Sequence, residues 1–207
     1  MKPSHFLVRL NSADCITLFG LLFSAIAMVC ALNQQLLLSV SWLFLAMLAD
    51  ALDGIWARRN KLVRAFGRYL DGFMDQLIYL ISPAVVLYLS GFDGYWSLFL
   101  LLMIACGSIR LSVFNEVGNI EGSSGLSYLG MPVFWSLFIL SAYLLLRFVL
   151  PPLSGYLLLS VTLLLFSIAM LWRRPFYKFK HLSVIIGITL SGAFTFFWLH
   201  FRGFCVV

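Results

Sequence analysis

The sequence predicts an all-α fold, a polytopic bundle of transmembrane helices. Of the 207 residues, 62% are hydrophobic and only 11% are charged, whereas a soluble domain carries roughly 25% charged residues. The mean hydropathy is +1.01, and a soluble surface would need about twice the charge that the chain offers. Lipid must therefore cover part of the molecule, which excludes a soluble globular protein.

Seven stretches are apolar and long enough to cross a bilayer as helices, which takes about 20 predominantly apolar residues each. The first two span about 13–33 and 35–58, and the fourth spans about 94–116. The third, about 66–90, contains Pro83. A proline removes one backbone donor, so this residue is expected to disturb or kink the third helix.

The last three stretches are about 129–149, 153–172 and 182–201. Pro151 and Pro152 separate the first of these from the second, since a proline inside a helix would break its hydrogen bonding. Every connector between the seven stretches is short. Residues 1–207 are therefore predicted to form a single integral membrane domain.

Basic residues are concentrated on one side of the predicted bundle. Eleven of the fourteen fall there: Lys2, Arg9, Arg58, Arg59, Lys61, Arg64, Arg68, Arg173, Arg174, Lys178 and Lys180. The positive-inside rule places this side and the N-terminus in the cytosol. We expect a multi-pass protein of the inner or plasma membrane of a prokaryote. Basic residues beside apolar runs also indicate contact with membrane lipids and no nucleic-acid partner.

Four of the eight acidic residues fall in one short stretch, on the predicted cytosolic side. If 35–58 is helical, Asp50, Asp53 and Ala57 share one face, and Asp71 and Asp75 share a face of the next helix. Two carboxylates on each of two adjacent antiparallel helices can converge. Because four such charges would repel strongly in a medium of low dielectric constant, a cation is expected to bind there.

Carboxylate oxygens near water suit a hard divalent ion, most simply Mg²⁺ or Mn²⁺, and four carboxylates can hold two ions. Gly54 and Ala57 keep the same face open to a ligand, and Gly67 does so from the facing helix. Arg58 could bind a phosphate with paired donors. The alternative is a set of interhelical Asp–Arg ion pairs, which would require neither these small residues nor their fixed spacing.

The complete pattern from Asp50 to Asp75, D-x2-D-G-x2-A-R-x8-G-x3-D-x3-D, resembles the signature of the CDP-alcohol phosphotransferases, integral membrane enzymes of phospholipid synthesis. The resemblance implies a homodimer and six core helices plus about one extra, with 182–201 the least secure span. It also implies the following roles: metal ligands Asp50, Asp53 and Asp71; Asp75 as both ligand and general base; and a CDP-binding surface of Gly54, Ala57, Arg58 and Gly67.

The segment Ala13-Asp14-Cys15-Ile16-Thr17 resembles the short motif that opens the first helix of this family near the nucleotide. This resemblance adds Asp14 and Thr17 to the implied CDP-binding surface. The alternative for Asp14 is a purely structural one. An aspartate at the start of a helix is a favourable N-cap, because its side chain accepts hydrogen bonds from the first free N–H groups.

Three further segments resemble the phosphatidylserine synthases of this family. They are Arg68–Ala84, Ile109–Asn115 and Tyr128–Pro132. The chain departs from their pattern at Gly72, where serine is usual, at Leu80-Ile81, at Val113 and at Val133-Phe134. These departures lie near the expected acceptor pocket and leave the reaction class unchanged. The three resembling segments make serine the leading acceptor, and glycerol 3-phosphate, inositol phosphate and choline are the alternatives.

A serine acceptor brings a carboxylate into the site, and Arg110 is the candidate to bind it because it stands alone in an apolar span. The alternatives for Arg110 are an ion pair with Glu116 or with an aspartate of the cluster, and contact with a lipid phosphate. Asn115 could line the same pocket. Arg64 and Arg68 are further candidates to bind an acceptor or lipid phosphate.

The predicted reaction is the transfer of the phosphatidyl group of CDP-diacylglycerol to a small hydroxyl acceptor, with CMP as the leaving group. A function from another class, an ion-coupled membrane transporter, would also explain acidic residues within helices. That function predicts acids spread through the bilayer and an internal repeat. Here the acids cluster at one end, and the two halves of the chain look unlike.

Overall fold

The computed structural model describes residues 8–117, 120–122, 125–177 and 182–204. Within these residues the chain forms seven helices, and a single 3₁₀ turn, Gly94–Trp96, precedes the fourth. The helices are α1 Ser12–Leu32, α2 Leu36–Arg59, α3 Ala65–Leu89, α4 Ser97–Val117, α5 Trp135–Leu146, α6 Pro152–Leu171 and α7 Leu182–Phe201.

Six of the described helices are long and apolar enough to cross a membrane, and together they make this a multi-pass integral membrane protein. The predicted fold class is confirmed, and the stretch 182–201, expected to be the extra span, forms the full-length helix α7. The exception is α5. Its 12 residues rise about 18 Å, which is shorter than the hydrocarbon core of about 30 Å.

The predicted span 129–149 is therefore wrong in its extent. The chain turns at Gly130, whose φ is +75° and whose N–H donates to the carbonyl of Arg174 over 3.0 Å. A Cβ on Gly130 would collide with the carbonyl of Met170. This hydrogen bond joins two connectors that are distant in the sequence, so α5 begins only at Trp135. The apolar composition of the stretch gives no sign of such a hydrogen bond.

A small antiparallel sheet joins the connector after α4 to the connector after α6. Its strands are β1 Ile120–Gly122, β2 Gly125–Leu129 and β3 Pro175–Tyr177, in the order β1-β2-β3. Ile120 pairs with Ser127, and Tyr128 pairs with Phe176. Because successive helices alternate in direction, the sheet lies at the same end of the bundle as the connector between α2 and α3.

Helix α2 forms the centre of the bundle and packs against both α1 and α7. Val40 and Leu43 are completely buried. The ring of Phe44 stacks on that of Phe196 of α7 with their centroids 6.0 Å apart, and Ser41 donates a hydrogen bond to the carbonyl of Ala193 over 2.8 Å. The helix that carries Asp50 and Asp53 is therefore held on two sides.

Helix α3 contains a π-helical segment, Gln76–Ile81, between two α-helical parts, Ala65–Asp75 and Ser82–Leu89. Pro83 follows this segment closely, and its missing N–H cannot donate to the carbonyl of Tyr79 four residues earlier. The hydroxyl of Ser136 donates to that carbonyl instead. The structure thus accommodates the expected disturbance at Pro83 with a local change of helix type.

Candidate active site

The carboxylates of the acidic stretch meet between α2 and α3. One carboxylate oxygen from each of Asp50, Asp53 and Asp71 lies within 4.8 Å of the others. Asp75 lies beside them, and its carboxylate interacts electrostatically with those of Asp50 and Asp71. Asp53 is buried, whereas the other three aspartates are half-buried. The structure brings together the four residues that the sequence pattern placed on two facing helices.

A tight turn between the helices makes this convergence possible. Helix α2 ends in a Schellman motif, in which Lys61 adopts a φ of +56°. In this motif the N–H of Leu62 donates to the carbonyl of Ala57 over 2.8 Å, and that of Lys61 donates to the carbonyl of Arg58 over 3.3 Å. This arrangement satisfies the last carbonyls of the helix and reverses the chain within a few residues. Helix α3 can then run back beside α2.

Two hydroxyl groups hold the carboxylates of α2. Thr17 of α1 donates a hydrogen bond to Oδ2 of Asp53. Tyr79 of α3 donates one to Oδ2 of Asp50 over 2.7 Å. Thr17, predicted on the CDP-binding surface, thus contacts a predicted metal ligand. Sequence reasoning did not assign Tyr79 to the site, although Pro83 four residues later was a usable signal of unusual helix geometry there.

Asp14 lies at the start of α1, where its side chain is almost completely buried. Asn11 is the N-cap, so the structural alternative considered for Asp14, that it is itself the N-cap, is wrong by three positions. Asp14 completes a capping box: its N–H donates to Oδ1 of Asn11 over 2.9 Å, and its Oδ2 accepts from the N–H of Asn11 over 2.8 Å. The same Oδ2 forms an ion pair with Arg64.

Arg64 therefore ties the beginning of α3 to the beginning of α1. Its guanidinium carbon also lies 4.9 Å from the centroid of the Phe66 ring, a cation–π contact. Gly67 follows on α3, and a Cβ built on it would lie 3.5 Å from Oδ1 of Asp14, an ordinary contact distance. Asp14 and Gly67, both implied to contact CDP, are thus neighbours in the structure.

Gly54, Ala57 and Arg58 lie on the last turns of α2, beyond Asp53. The guanidinium of Arg58 folds back along the helix, so that a Cβ on Gly54 would lie 3.3 Å from Nη1 of Arg58. Arg58 is exposed and Ala57 is half-buried. The positive charge and the missing side chain of Gly54 are therefore together at the open end of the site.

Helix α4 contributes Arg110 to the surroundings of the aspartates. Arg110 is only 6% exposed, its guanidinium carbon lies 5.5 Å from the centroid of the Phe114 ring, and its charge interacts with that of Asp75. Of the roles considered for Arg110, interaction with an aspartate of the cluster is the one that these contacts display. A buried guanidinium beside a carboxylate also compensates part of the negative charge of the site.

Asn115, one turn further along α4, packs against α3. A Cβ on Gly72 would lie 2.8 Å from Oδ1 of Asn115, so the amide occupies the space that a serine at position 72 would fill. Oδ1 of Asn115 is buried, and the described part of the chain offers it no hydrogen-bond donor. The exposed Arg68 donates to the backbone carbonyl of Asn115 over 3.4 Å.

The donor set fits a divalent cation. Three carboxylates that approach one another this closely supply hard oxygen atoms and negative charge, as Mg²⁺ and Mn²⁺ require. The neighbouring Arg58 and the open surface at Gly54 provide a place for a phosphate group beside such a cation. The arrangement is therefore suited to chemistry on a phosphate ester at the membrane surface.

Comparison with known proteins agrees with this geometry. Residues 10–172 match the family model of the CDP-alcohol phosphatidyltransferases. The chain is 26% identical over 184 residues to a CDP-diacylglycerol–serine O-phosphatidyltransferase of Methanocaldococcus jannaschii, covering 87% of this chain and 82% of the relative. It is 32% identical over 130 residues to the enzyme of the same name from Bacillus subtilis, covering 60% and 70% of the two chains.

A third relative carries a different name. The chain is 28% identical over 144 residues to a phosphatidylcholine synthase of Rhizobium meliloti, and the match covers 66% of this chain and 57% of the relative. The names of the first two relatives specify serine, whereas the name of the third specifies phosphatidylcholine. The family model extends over most of the helices and includes all four aspartates of the site. The chain belongs to the CDP-alcohol phosphatidyltransferase family.

Proposed function

We propose that this protein transfers the phosphatidyl group of CDP-diacylglycerol to the hydroxyl of L-serine and releases CMP. The observation that carries the proposal is the convergence of Asp50, Asp53 and Asp71, with Asp75 beside them, at one end of two adjacent helices. A site at the end of the bundle is open to a water-soluble nucleotide and acceptor. It also lies within reach of a lipid that remains in the bilayer.

Asp50, Asp53, Asp71 and Asp75 would hold Mg²⁺ or Mn²⁺, and four carboxylates suffice for two ions. When bound, the metal would neutralise the pyrophosphate oxygens and polarise the phosphate that is attacked. The hydrogen bonds from Thr17 to Asp53 and from Tyr79 to Asp50 keep two of these carboxylates in fixed orientations.

Asp75 is the proposed general base. An alcohol is a poor nucleophile at neutral pH, so a base must accept its proton as the oxygen attacks. The acceptor oxygen forms a bond to the phosphorus that carries the diacylglycerol, the bond from that phosphorus to CMP breaks, and the proton passes to the carboxylate of Asp75. Asp75 suits this role because its carboxylate is close enough to Asp50, Asp71 and Arg110 to interact with their charges.

The nucleotide is proposed to bind across Gly54, Ala57, Arg58 and Gly67, near Asp14 and Thr17. Arg58 would pair with a phosphate group from its position over Gly54. At Gly67, an added Cβ would meet only atoms at 3.5 Å or more. Packing in the structure therefore does not require glycine at position 67. This supports the proposal that the position is kept small to leave space for a ligand.

Serine is favoured as the acceptor by the polar groups that α4 contributes. The charge of Arg110 suits the carboxylate of serine, and the buried Oδ1 of Asn115 suits its ammonium group. A phosphorylated acceptor would need further cationic side chains beside Arg110, and of the two other candidates only Arg68 remains, because Arg64 is engaged in the ion pair with Asp14. Choline carries no carboxylate and would leave Arg110 without a role in binding the acceptor.

The abundance of basic residues on one side supports a site that faces the cytosol, in the inner or plasma membrane of a prokaryote. Resemblance to the family supports a homodimer formed by chains that are each a single domain. Neither feature is needed for the chemistry at the aspartates.

Release of CMP by the purified protein tests the proposal. The protein in detergent is supplied with CDP-diacylglycerol and Mg²⁺ or Mn²⁺, and L-serine, choline, glycerol 3-phosphate and inositol phosphate are each added separately. We expect metal-dependent release of CMP with serine and formation of the corresponding lipid. Turnover with another alcohol alone would replace serine as the acceptor, and ion flux without any CMP release would favour a transporter.

Asp75→Asn should reduce CMP release to background, because the amide cannot accept the proton of the acceptor. Asp93→Asn is the matched control: Asp93 is an exposed aspartate in the connector between α3 and α4, and its loss should leave turnover unchanged. Both variants should be recovered from membranes in normal amounts. Near-normal turnover by Asp75→Asn would show that another group acts as the base.

A further inference from the structure

Tyr79 presents a buried hydroxyl to the carboxylate of Asp50. The donor and acceptor oxygens are 2.7 Å apart, and Tyr79 is only 2% exposed. A phenylalanine would fill nearly the same space, whereas burial of a hydroxyl costs free energy unless it is hydrogen-bonded. Because a hydrogen bond to one carboxylate oxygen fixes the rotation of the whole group, the Tyr79 hydroxyl sets the direction of both oxygens of Asp50.

The π-helical segment of α3 accounts for the position of Tyr79. In an α-helix, four residues turn the chain about 40° beyond one full revolution. Two such steps lead from Asp71 to position 79. In an α-helix the side chain at position 79 would therefore point well away from the direction of the Asp71 side chain. The wider π-helical turn, with its i→i+5 hydrogen bonds, rotates less per residue. Gln76–Ile81 therefore keep Tyr79 on the side of α3 that faces Asp50.

Ser136 of α5 holds the backbone at the same residue. Its hydroxyl donates to the carbonyl of Tyr79, to which Pro83 has no N–H to donate. Ser136 is 1% exposed, so this hydrogen bond is shielded from competing water. Tyr79 is thus fixed at both ends, through its carbonyl by α5 and through its hydroxyl by Asp50 of α2.

We propose that Tyr79 is a positioning residue for the metal site, and that Ser136 supports it through the backbone of α3. The inference rests on the proposed function, in which Asp50 is a metal ligand. Tyr79 touches neither substrate nor reacting atoms in this role. Tyr79 holds the Asp50 carboxylate in the orientation that binds the cation. Loss of its hydroxyl should therefore weaken metal binding and should leave the chemical step intact once the metal is bound.

Binding of Mn²⁺ to the metal-free protein tests this role without reference to turnover. The free ion is measured by electron paramagnetic resonance during titration of the full-length protein in detergent. Tyr79→Phe should bind Mn²⁺ about 10-fold more weakly, as expected when a hydrogen-bonding partner of a metal ligand is lost. Ser136→Ala should also weaken Mn²⁺ binding, but by less than Tyr79→Phe does, because the Tyr79 hydroxyl is retained.

Tyr88→Phe is the matched control. Tyr88 lies on the same helix with half of its surface exposed, so removal of its hydroxyl should leave Mn²⁺ affinity unchanged. In assays of CMP release, Tyr79→Phe should need about 10-fold more Mn²⁺ for half-maximal turnover. Its kcat should recover at saturating Mn²⁺, which a general disruption of the fold would not allow.

The outcomes separate this inference from the proposed function. If Asp50→Asn abolishes Mn²⁺ binding while Tyr79→Phe binds as tightly as the wild type, the role of Tyr79 is overturned and the metal site stands. If the wild type and Asp50→Asn bind equally, the metal site itself is wrong. If Tyr79→Phe cannot be recovered as folded protein, Ser136→Ala decides: wild-type affinity in that variant overturns the inference.

Discussion

The contact between Gly72 and Asn115 shows how one missing side chain can shape a binding site. The Asn115 amide fills the space beside Gly72 and places a buried Oδ1 next to the helix that carries Asp71 and Asp75. A Cβ at position 72 would force the amide to move. In a helix interior alanine is favoured over glycine by about 1 kcal/mol, so the helix itself should tolerate the change.

Gly72→Ala should therefore reduce activity without a comparable loss of stability. If Asn115 binds the ammonium group of serine, displacing its amide removes a hydrogen bond to a charged group, worth about 1.5–3 kcal/mol. We expect kcat/KM for serine to fall about 10-fold or more. Gly187→Ala in α7 is the control, because a Cβ there would meet no atom within 4 Å.

A double variant assigns the effect to Asn115. If Gly72→Ala acts by displacing the amide, then Gly72→Ala combined with Asn115→Ala should be no less active than Asn115→Ala alone. Kinetic assays with varied serine would measure this directly. Additive losses in the double variant would mean that the two residues act separately and that Gly72 has a different function.

Among secondary-structure elements, the start of α1 has a stability effect that can be measured. The Asn11 side chain accepts from the N–H of Asp14 over 2.9 Å and its amide reaches the carbonyl of Leu62 over 3.4 Å. Asn11→Ala should lower the free energy of unfolding by about 1 kcal/mol, the usual cost of losing an N-cap. Reversible unfolding by SDS in mixed micelles would measure the difference.

Gln35 provides the comparison for the same substitution. It is the N-cap residue of α2, but its side chain makes no capping hydrogen bond, and it is exposed. Gln35→Ala should therefore change the free energy of unfolding much less than Asn11→Ala does. Equal destabilisation by the two variants would show that the capping box contributes little to stability.

The sequence predicts the elements unequally, for identifiable reasons. Long apolar runs are sufficient to predict α1, α2 and α3, because their length and hydropathy are local properties. The short α5 is different, since its start depends on the hydrogen bond from Gly130 to Arg174 across two connectors. The π-helical segment likewise depends on a neighbour, because the Ser136 hydroxyl on α5 binds the backbone at Tyr79.

The candidate site was likewise predictable from the sequence only in part. The convergence of Asp50, Asp53 and Asp71 follows from helical periodicity and a short turn, so it could be predicted from spacing alone. The hydroxyl donors to the carboxylates could not, because Thr17 and Tyr79 reach them from other helices. The pairing of Asp14 with Arg64 was equally out of reach, since fifty residues separate them.

At the scale of the whole molecule, the few charged residues are distributed unequally between the two ends of the bundle. The acidic cluster and the connector between α2 and α3 lie at the same end as the connectors after α4 and α6. Most of the Lys and Arg residues in the described part of the chain are also found at this end. Placing this end in the cytosol would satisfy the positive-inside rule and would give the candidate active site access to a water-soluble nucleotide and alcohol.

Cysteine labelling in a bacterial host can test this orientation. Asn60 lies in the exposed connector beside the active site, and Asp93 lies in the exposed connector at the opposite end. Each is replaced by cysteine in a variant whose four native cysteines have been changed to alanine. Release of CMP by this cysteine-free protein shows that it still folds.

A maleimide that cannot cross membranes should label Asp93→Cys on intact spheroplasts and should label Asn60→Cys only after lysis. The reason is the charge distribution: reversal of the bundle would place most of the Lys and Arg residues outside, against the bias that sets topology during insertion. Labelling of Asn60→Cys on intact spheroplasts would place the aspartates outside the cell and contradict a cytosolic active site.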